Sequence, residues 1–317
     1  MEECNNKFPV DLVYLWVNGN DPVWKKKRET FTGGISKSDG KDCEGRYVDN
    51  EELKFSLRSA ELYAPWIRNI FIVTDNQVPQ WLDTSDPRVK IIDHKEILPP
   101  EALPTFNSTV IEHVLHKIPG LAEHFLYAND DMFFGRSVVP EDFFTVEGLP
   151  IVRFNRRPFR KFSLWVKEKI LGKPLSNYNI TIRKSARMVE KKYGKYIGHK
   201  THHNIDAFRK SDYGHTYDVF KDEIEKTFSH HLRSDEDVQR NLYSYVPVVE
   251  RRAVVKFVEE KESFRCHIDN DRNLKRLMSS NPLLFCLNDS EYAREDHRRN
   301  VRIFLESRFP EKSRFEK

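Results

Sequence analysis

Across 317 residues the chain is 38% apolar and 32% charged with a net charge of +4, which allows a sizeable core under a heavily charged surface in one large or two ordinary domains. No run of eighteen apolar residues occurs, which excludes a membrane-spanning helix, and "MEECNNKFPVDLVYLWV" carries acids where a signal peptide is positive, so a cytoplasmic protein is expected. Cys4, Cys43, Cys266 and Cys286 lie far apart, without metal-finger or redox spacing, and are expected as reduced thiols.

From the amino end, "VDLVYLWV" (Val10 to Val17) is a nearly continuous apolar run, the pattern of a strand buried on both faces. It stops at the turn "NGNDP", and a flexible loop, "TGGISKSDGKDCEG", follows. Asp49-x-x-Glu52 reads as a loose capping box for a helix whose Leu53, Leu57, Ala60 and Ala64 share a face. "NIFIVT" and "RVKIID" are the second and third strands. Ile111, Val114, Leu115 and Ile118 line a helix opened by Asn107-Ser108 and closed at Pro119-Gly120, and "HFLYA" is the fourth strand. This alternation predicts an α/β fold with a mostly parallel, Rossmann-like sheet.

Beyond Ile151 the character changes. Residues 151–200 hold fifteen Lys and Arg against two acids, Glu168 and Glu190, so the rest of the chain is net acidic. A block so one-sided repels itself unless something anionic lies near. "FSLWVKEKILGK", "ITIRKSARMVEKKYG", "YDVFKDEIEKTF" and "DEDVQRNLYSYV" have helical spacing, "RAVVKFVEE" reads as a late strand, and "SEYAREDHRRNVRIFLESRF" as a terminal helix. The expected organisation is an α/β core at 8–150, a helical basic subdomain at 151–247, and a return to the core at 248–317.

"YANDDMFFG" places Asn129, Asp130 and Asp131 where the fourth strand ends. Ligands of such sheets bind outside the carboxyl ends of the strands, so this turn and "NGNDP" should reach the binding edge. Adjacent acids also form ordinary turns, but two like charges side by side call for a cation or strong donors. Mg²⁺ and Mn²⁺ take one or two carboxylates together with substrate phosphate. Neither a Walker loop nor G-x-G-x-x-G is present. Glu112 and His116 have the spacing of a helical ion pair. His203 in "THHNIDAFRKS" is a proton-transfer candidate and Arg233 in "HHLRSDED" a phosphate clamp; His202, His230 and His231 are rivals that spacing does not separate from His203.

"VDLVYLWVNGNDPVW" resembles the first block of the Stealth family of sugar-1-phosphate transferases. "YVDNEELKFSLRSAELYAPWIRNIFIVTDNQVPQWLD", "LPTFNSTVIEHVLHKIPGLAEHFLYANDDMFFGR" and "PEDFF" are similar to its second block, "HNIDAFRKS" with "LRSDEDV" to its third, and "FCLNDSEY…FLESRFPEKSRFE" to its fourth. The blocks occur in order and cover well over half the chain. The resemblance implies a fold related to the GT-A transferases and a reaction on a UDP-sugar that depends on Mg²⁺ or Mn²⁺. By the same resemblance Asp11, Trp16, Asn18 and Asp21 handle the nucleotide, with Arg58, Asn107, Glu112, Asn129 and Asn288 among the substrate-binding residues. Asp130 and Asp131 match the acidic pair and, with Asp289, form the metal set. His203 is the third-block histidine, eight residues before Ser211, and Arg233 is the arginine of the next motif. Leu232 departs from the usual aromatic and Ser290 from the usual acid or amide after "LND".

The expected chemistry is attack by a saccharide hydroxyl on the phosphorus attached to the donor sugar, with UMP departing. The alternative is ordinary glycosyl transfer, which releases UDP. A sugar-phosphate polymer acceptor, one negative charge per linkage, gives Arg156, Arg157, Arg160 and Lys161 a purpose. The amphipathic "SLWVKEKIL" suits peripheral contact with anionic lipid instead. Nucleic acid is not expected, since acidic strand ends would repel its backbone.

Overall fold

A computed structural model describes residues 7–33, 47, 49–158, 161–173, 175–290 and 292–317. The expected loop "TGGISKSDGKDCEG" falls almost wholly outside them, as do Cys4 and Cys43. Its centre is a five-stranded sheet in the order β3-β2-β1-β4-β8, from β1 (Val10–Leu15), β2 (Ile70–Thr74), β3 (Val89–Asp93), β4 (His124–Asn129) and β8 (Asp206–Arg209). The first four run parallel and β8 antiparallel to β4.

Side chains alternate across a strand, and β1 shows why its run is apolar throughout. Val13 and Leu15 pack with Phe71, Val73, Phe125 and Tyr127 on one face. Leu12 and Tyr14 pack on the other against Leu53, Leu57 and Ala60 of helix α2 (Glu52–Tyr63). The capping box expected at Asp49 does not form: α2 follows Glu51 at φ 64° with no side-chain cap. Asp49 accepts from the Glu51 N–H at 2.9 Å, and Glu52 from the Asn50 N–H at 2.8 Å. The two acids close the turn before the helix rather than its first turn.

Helix α1 (Pro22–Thr32), in a stretch read only as turn and loop, has Asp21 as its N-cap, Pro22 in its first turn and Gly33, at φ 64°, as its C-cap. Two short helices, α3 (His94–Ile97) and α4 (Ser108–Glu112), follow. α4 ends at Glu112, so Glu112 and His116 do not pair; Glu112 accepts from the Tyr127 hydroxyl at 2.8 Å instead.

The segment expected to be helical also contains strands. β6 (Ile151–Pro158) lies between β7 (His199–Thr201) and β9 (Val254–Val258) in a separate sheet, while β8 completes the central one. Around them stand α5 (Lys161–Trp165), α6 (Asn177–Tyr193), α7 (Lys210–Val219), α8 (Lys221–Thr227) and α9 (Leu242–Val249). The third sheet, β10-β11-β5, joins β5 (Met132–Phe134), β10 (Ser263–His267) and β11 (Leu284–Asn288), and packs on α10 (Asp271–Met278) and α11 (Glu295–Arg308) through Phe133, Phe264, Phe285, Leu277 and Phe304.

Chain order reverses between β1 and β4, which makes that gap the sheet's switch point, where ligands bind. Leu15 faces Asn129 across it. Immediately after Asn129 the acidic pair leads into β5, and the Leu287 N–H donates to the Asp131 carbonyl at 2.9 Å. Asp130-Asp131 is therefore the hinge between two sheets, and the end of β11 lies beside it.

Candidate active site

A cavity of about 1050 Å³ opens at the carboxyl ends of β1, β2, β4 and β11. Trp16, Trp24 and Tyr47 form one wall, and Asn129, Asp130 and Asp131 the floor. Asn288, Asp289, His203, Arg233, Arg240, Arg265 and Lys200 also line it.

The carboxylates are crowded. Burial, then Asp131, Glu52 and Asp49, hold Asp130 well above the usual carboxylate range. Burial pushes Asp131 up to about 6 and Glu52 up to about 7. Asp131 accepts from the Cys286 thiol at 3.3 Å through Oδ2, while its Oδ1 is buried with no hydrogen-bond partner. Crowded acids with an unused buried oxygen fit a divalent cation, which would return them to their charged forms. Asp130 and Asp131 are the residues that would hold it. Asp289, the third expected ligand, lines the cavity but is paired with Arg298, whose Nε lies 2.9 Å from its Oδ2.

His203 faces this floor. Burial, with Arg265 and Arg240 nearby, pushes its imidazole down to about 3, so the ring is neutral near pH 7 and carries one unprotonated nitrogen. Among the rivals, His202 is buried and occupied, Nδ1 with Ser263 and Nε2 with Asp206 at 3.1 Å. His230 is paired with Asp237 at 2.8 Å, and His231 Nδ1 lies 2.6 Å from the Pro104 carbonyl. Of these four histidines, His203 is the one that lines the cavity.

Arg233 donates from Nη2 to the Ser108 hydroxyl at 2.8 Å. Its loop is held by Asn107, which caps α4 and donates to Asp237 at 2.9 Å and to the His230 carbonyl at 3.1 Å. Asn107 therefore sits behind the cavity wall and positions it. Glu112 and Asn129 line the cavity and share the Tyr127 hydroxyl, at 2.8 Å each.

Four expected ligand residues lie elsewhere. Asp11 is fully buried at the opposite, amino end of β1. It accepts from Arg68 at 2.6 and 2.9 Å, from the Ala122 N–H at 2.7 Å and from the Asn69 N–H at 3.1 Å, so it stitches three segments together. Arg58 grips Glu316 through two 2.7 Å bonds and the Phe309 carbonyl through a third, on the far side of α2. Asn18 is bound both ways to the Gln77 amide, at 2.9 and 3.0 Å. Asp21 spends its side chain on the Trp24 N–H at 2.8 Å. The last two shape the turn that presents Trp16 and Trp24.

Sequence reasoning missed Arg240, Arg265, Glu52 and Lys200. Arg240 is buried between Asp206, at 2.5 Å, and Glu112, at 3.5 Å, with its guanidinium 4.5 Å from the Tyr127 ring centre. Arg265 donates to Asn288 at 2.8 Å. A lone arginine interrupting the apolar spacing of "VQRNLYSYV" and "SFRCH" is the one signal that marks Arg240 and Arg265.

A family model described as Stealth protein conserved region 1 matches residues 8–36, and one described as conserved region 2 matches residues 46–152. A capsular polysaccharide phosphotransferase of Haemophilus influenzae is 31% identical, over 95% of this chain and 84% of its own. An exopolysaccharide phosphotransferase of Lactiplantibacillus plantarum is 30% identical over 98% of this chain and 97% of its own. One from Streptomyces coelicolor is 34% identical over 98% of this chain but 53% of its own, so the chain spans about half that relative's length. Among solved structures, a galactosyltransferase in complex with donor and acceptor sugar analogues covers 96% of this chain and 98% of its own at 11% identity and a TM-score of 0.47, a likeness of outline alone. With relatives matched at such identity along most of both chains, the chain belongs to the Stealth family, alongside these polysaccharide phosphotransferases.

Proposed function

We propose that the chain transfers a sugar-1-phosphate, with an N-acetylhexosamine as the sugar, from a UDP-sugar to a hydroxyl of a saccharide acceptor in capsule or exopolysaccharide synthesis, releasing UMP. One observation carries this reading: a neutral His203, a tethered Arg233 and the Asp130-Asp131 turn meet on one cavity at the switch point of the sheet. The relatives' names, capsular and exopolysaccharide phosphotransferases, support the reaction class.

Phosphoryl transfer asks a protein for in-line positioning and for charge on the phosphoryl oxygens. A magnesium or manganese ion at Asp130 and Asp131 would supply part of that charge. The aromatic side chains Trp16, Trp24 and Tyr47 among the lining residues support a seat for the base. Arg233, fixed by Ser108, grips phosphoryl oxygens through its forked donors. His203 takes the proton of the attacking hydroxyl at a ring nitrogen. The hydroxyl oxygen bonds to the phosphorus next to the donor sugar, and the bond from that phosphorus to UMP breaks, its electron pair leaving with UMP. With a UDP-sugar and a saccharide acceptor the small product should be UMP; UDP would overturn the reading in favour of glycosyl transfer. His203→Ala should lower turnover by about a hundredfold or more, and near-normal turnover would remove the proton-accepting role.

The acceptor side rests on the basic segment. Arg156 is exposed and meets Glu259 at 3.0 Å, and Lys161 meets Glu190 at 2.5 Å; the Arg157 side chain and Arg160 lie outside the described residues. Phe162, Trp165, Ile170 and Leu171 are exposed beside Lys169 and Lys173, which supports a resting place on anionic lipid. No helix among the described residues is long and apolar enough to cross a membrane. Flotation with anionic but not neutral liposomes is the expected result, and failure to float with either removes this contact.

A further inference from the structure

Beside Asp131 lie two further donors, the Cys286 thiol and the His203 imidazole, that hard-cation chemistry leaves unused. Cys286 is buried on β11 opposite Met132, and its thiol leans on Asp131. The imidazole of His203 makes no hydrogen bond among the described residues, although it lies in a polar cavity. One ligand atom each from Asp131, His203 and Cys286 falls within a 4.8 Å spread. Together with the unpartnered Oδ1 of Asp131, two of the three side chains therefore carry unspent polar capacity toward the same point.

Magnesium and manganese favour oxygen and gain little from sulfur. Sulfur, imidazole nitrogen and carboxylate oxygen together are the donor set of zinc, which binds four ligands tetrahedrally and in open sites leaves one for water or substrate. A thiolate and a carboxylate also balance the two charges of zinc, and a coordinating thiol gives up its proton on binding. Cys266, one strand away, is buried in the apolar layer with Phe264 and Leu277.

We propose that Asp131, His203 and Cys286 form a zinc site, and that zinc there excludes a hard cation by occupying Asp131. Its existence does not depend on the sugar-phosphate reading; its effect on turnover does. Zinc at this point would also engage His203, so it would hold the enzyme silent by two routes.

The test uses the full chain carrying Cys4→Ser and Cys43→Ser, loaded with one equivalent of Zn²⁺. X-ray absorption should show one sulfur per zinc at about 2.3 Å with nitrogen and oxygen neighbours at about 2.0 Å. A shell of nitrogen and oxygen alone would overturn the site. As a second measurement, Cd²⁺ should give a thiolate charge-transfer absorption saturating at one equivalent, retained in Cys266→Ser and lost in Cys286→Ser. Survival of that absorption in Cys286→Ser would equally overturn it. Mn²⁺ bound to the same chain, followed by electron paramagnetic resonance, should be released by stoichiometric Zn²⁺. Mn²⁺ remaining bound beside Zn²⁺ would refute mutual exclusion, whereas failure of Mn²⁺ to bind at all would count against the hard-cation reading and leave the absorption result to decide the zinc site.

Discussion

Asp11 shows how little a residue's identity says about its task. At the amino end of β1 it accepts four hydrogen bonds from Arg68, Asn69 and Ala122, and no part of it reaches the cavity. Removing one partner of a buried pair leaves the others unpaired, a loss of several kcal/mol. Asp11→Ala should therefore lower unfolding free energy by about 3 kcal/mol in urea titrations while the donor KM stays unchanged; a raised KM with unchanged stability would return Asp11 to the substrate. His113 makes a comparable point about acid. Buried, with its ring nitrogens 2.9 Å from the Tyr243 hydroxyl and the Val238 carbonyl, it is pushed down to about 3. The unfolded chain takes up this proton below about pH 6.5 and the folded chain does not. Stability is therefore whole above that value and falls as the pH drops toward 3. His94 and His116, each pushed down to about 4 by burial, act in the same direction. Melting temperatures followed from pH 7.5 to pH 5 should decline, and His113→Asn should decline less steeply; parallel declines would refute the assignment.

At the scale of elements, what could be read ahead was what local pattern controls. β1 to β4 are apolar runs closed by turn residues, and each appears where its run predicts. β5, β7, β8, β10 and β11 span three to five residues each and mix Asp206, Arg209, Arg265 and His267 with apolar neighbours, so neither period stands out. β6 hides differently: its Arg153 is 1% exposed, stacked on Phe143 with the guanidinium carbon 4.9 Å from the ring centre, which a charge count assigns to a solvated face. α1 was concealed by "WKKKRETF", whose basic residues outweigh the single buried Trp24. In the site the same rule holds. Asp130 and Asp131 were legible because they end an apolar strand. Arg240, Glu52 and Arg265 were not, because segments distant in sequence bring them to the cavity.

For the molecule as a whole, the cavity takes Asp130 and Asp131 from the end of β4 and the cations Lys200, Arg233, Arg240 and Arg265 from the segment beyond Ile151, so opposite charges from two parts of the chain line one space. The acidic hinge that joins the central and third sheets has a mechanical corollary. Because Leu287 is tied to the Asp131 carbonyl, loosening the smaller layer should disarm the larger one's chemistry while the larger layer still stands. In a chaotrope series, turnover should vanish at a lower concentration than far-ultraviolet dichroism; coincident midpoints would mean that the two layers melt as one.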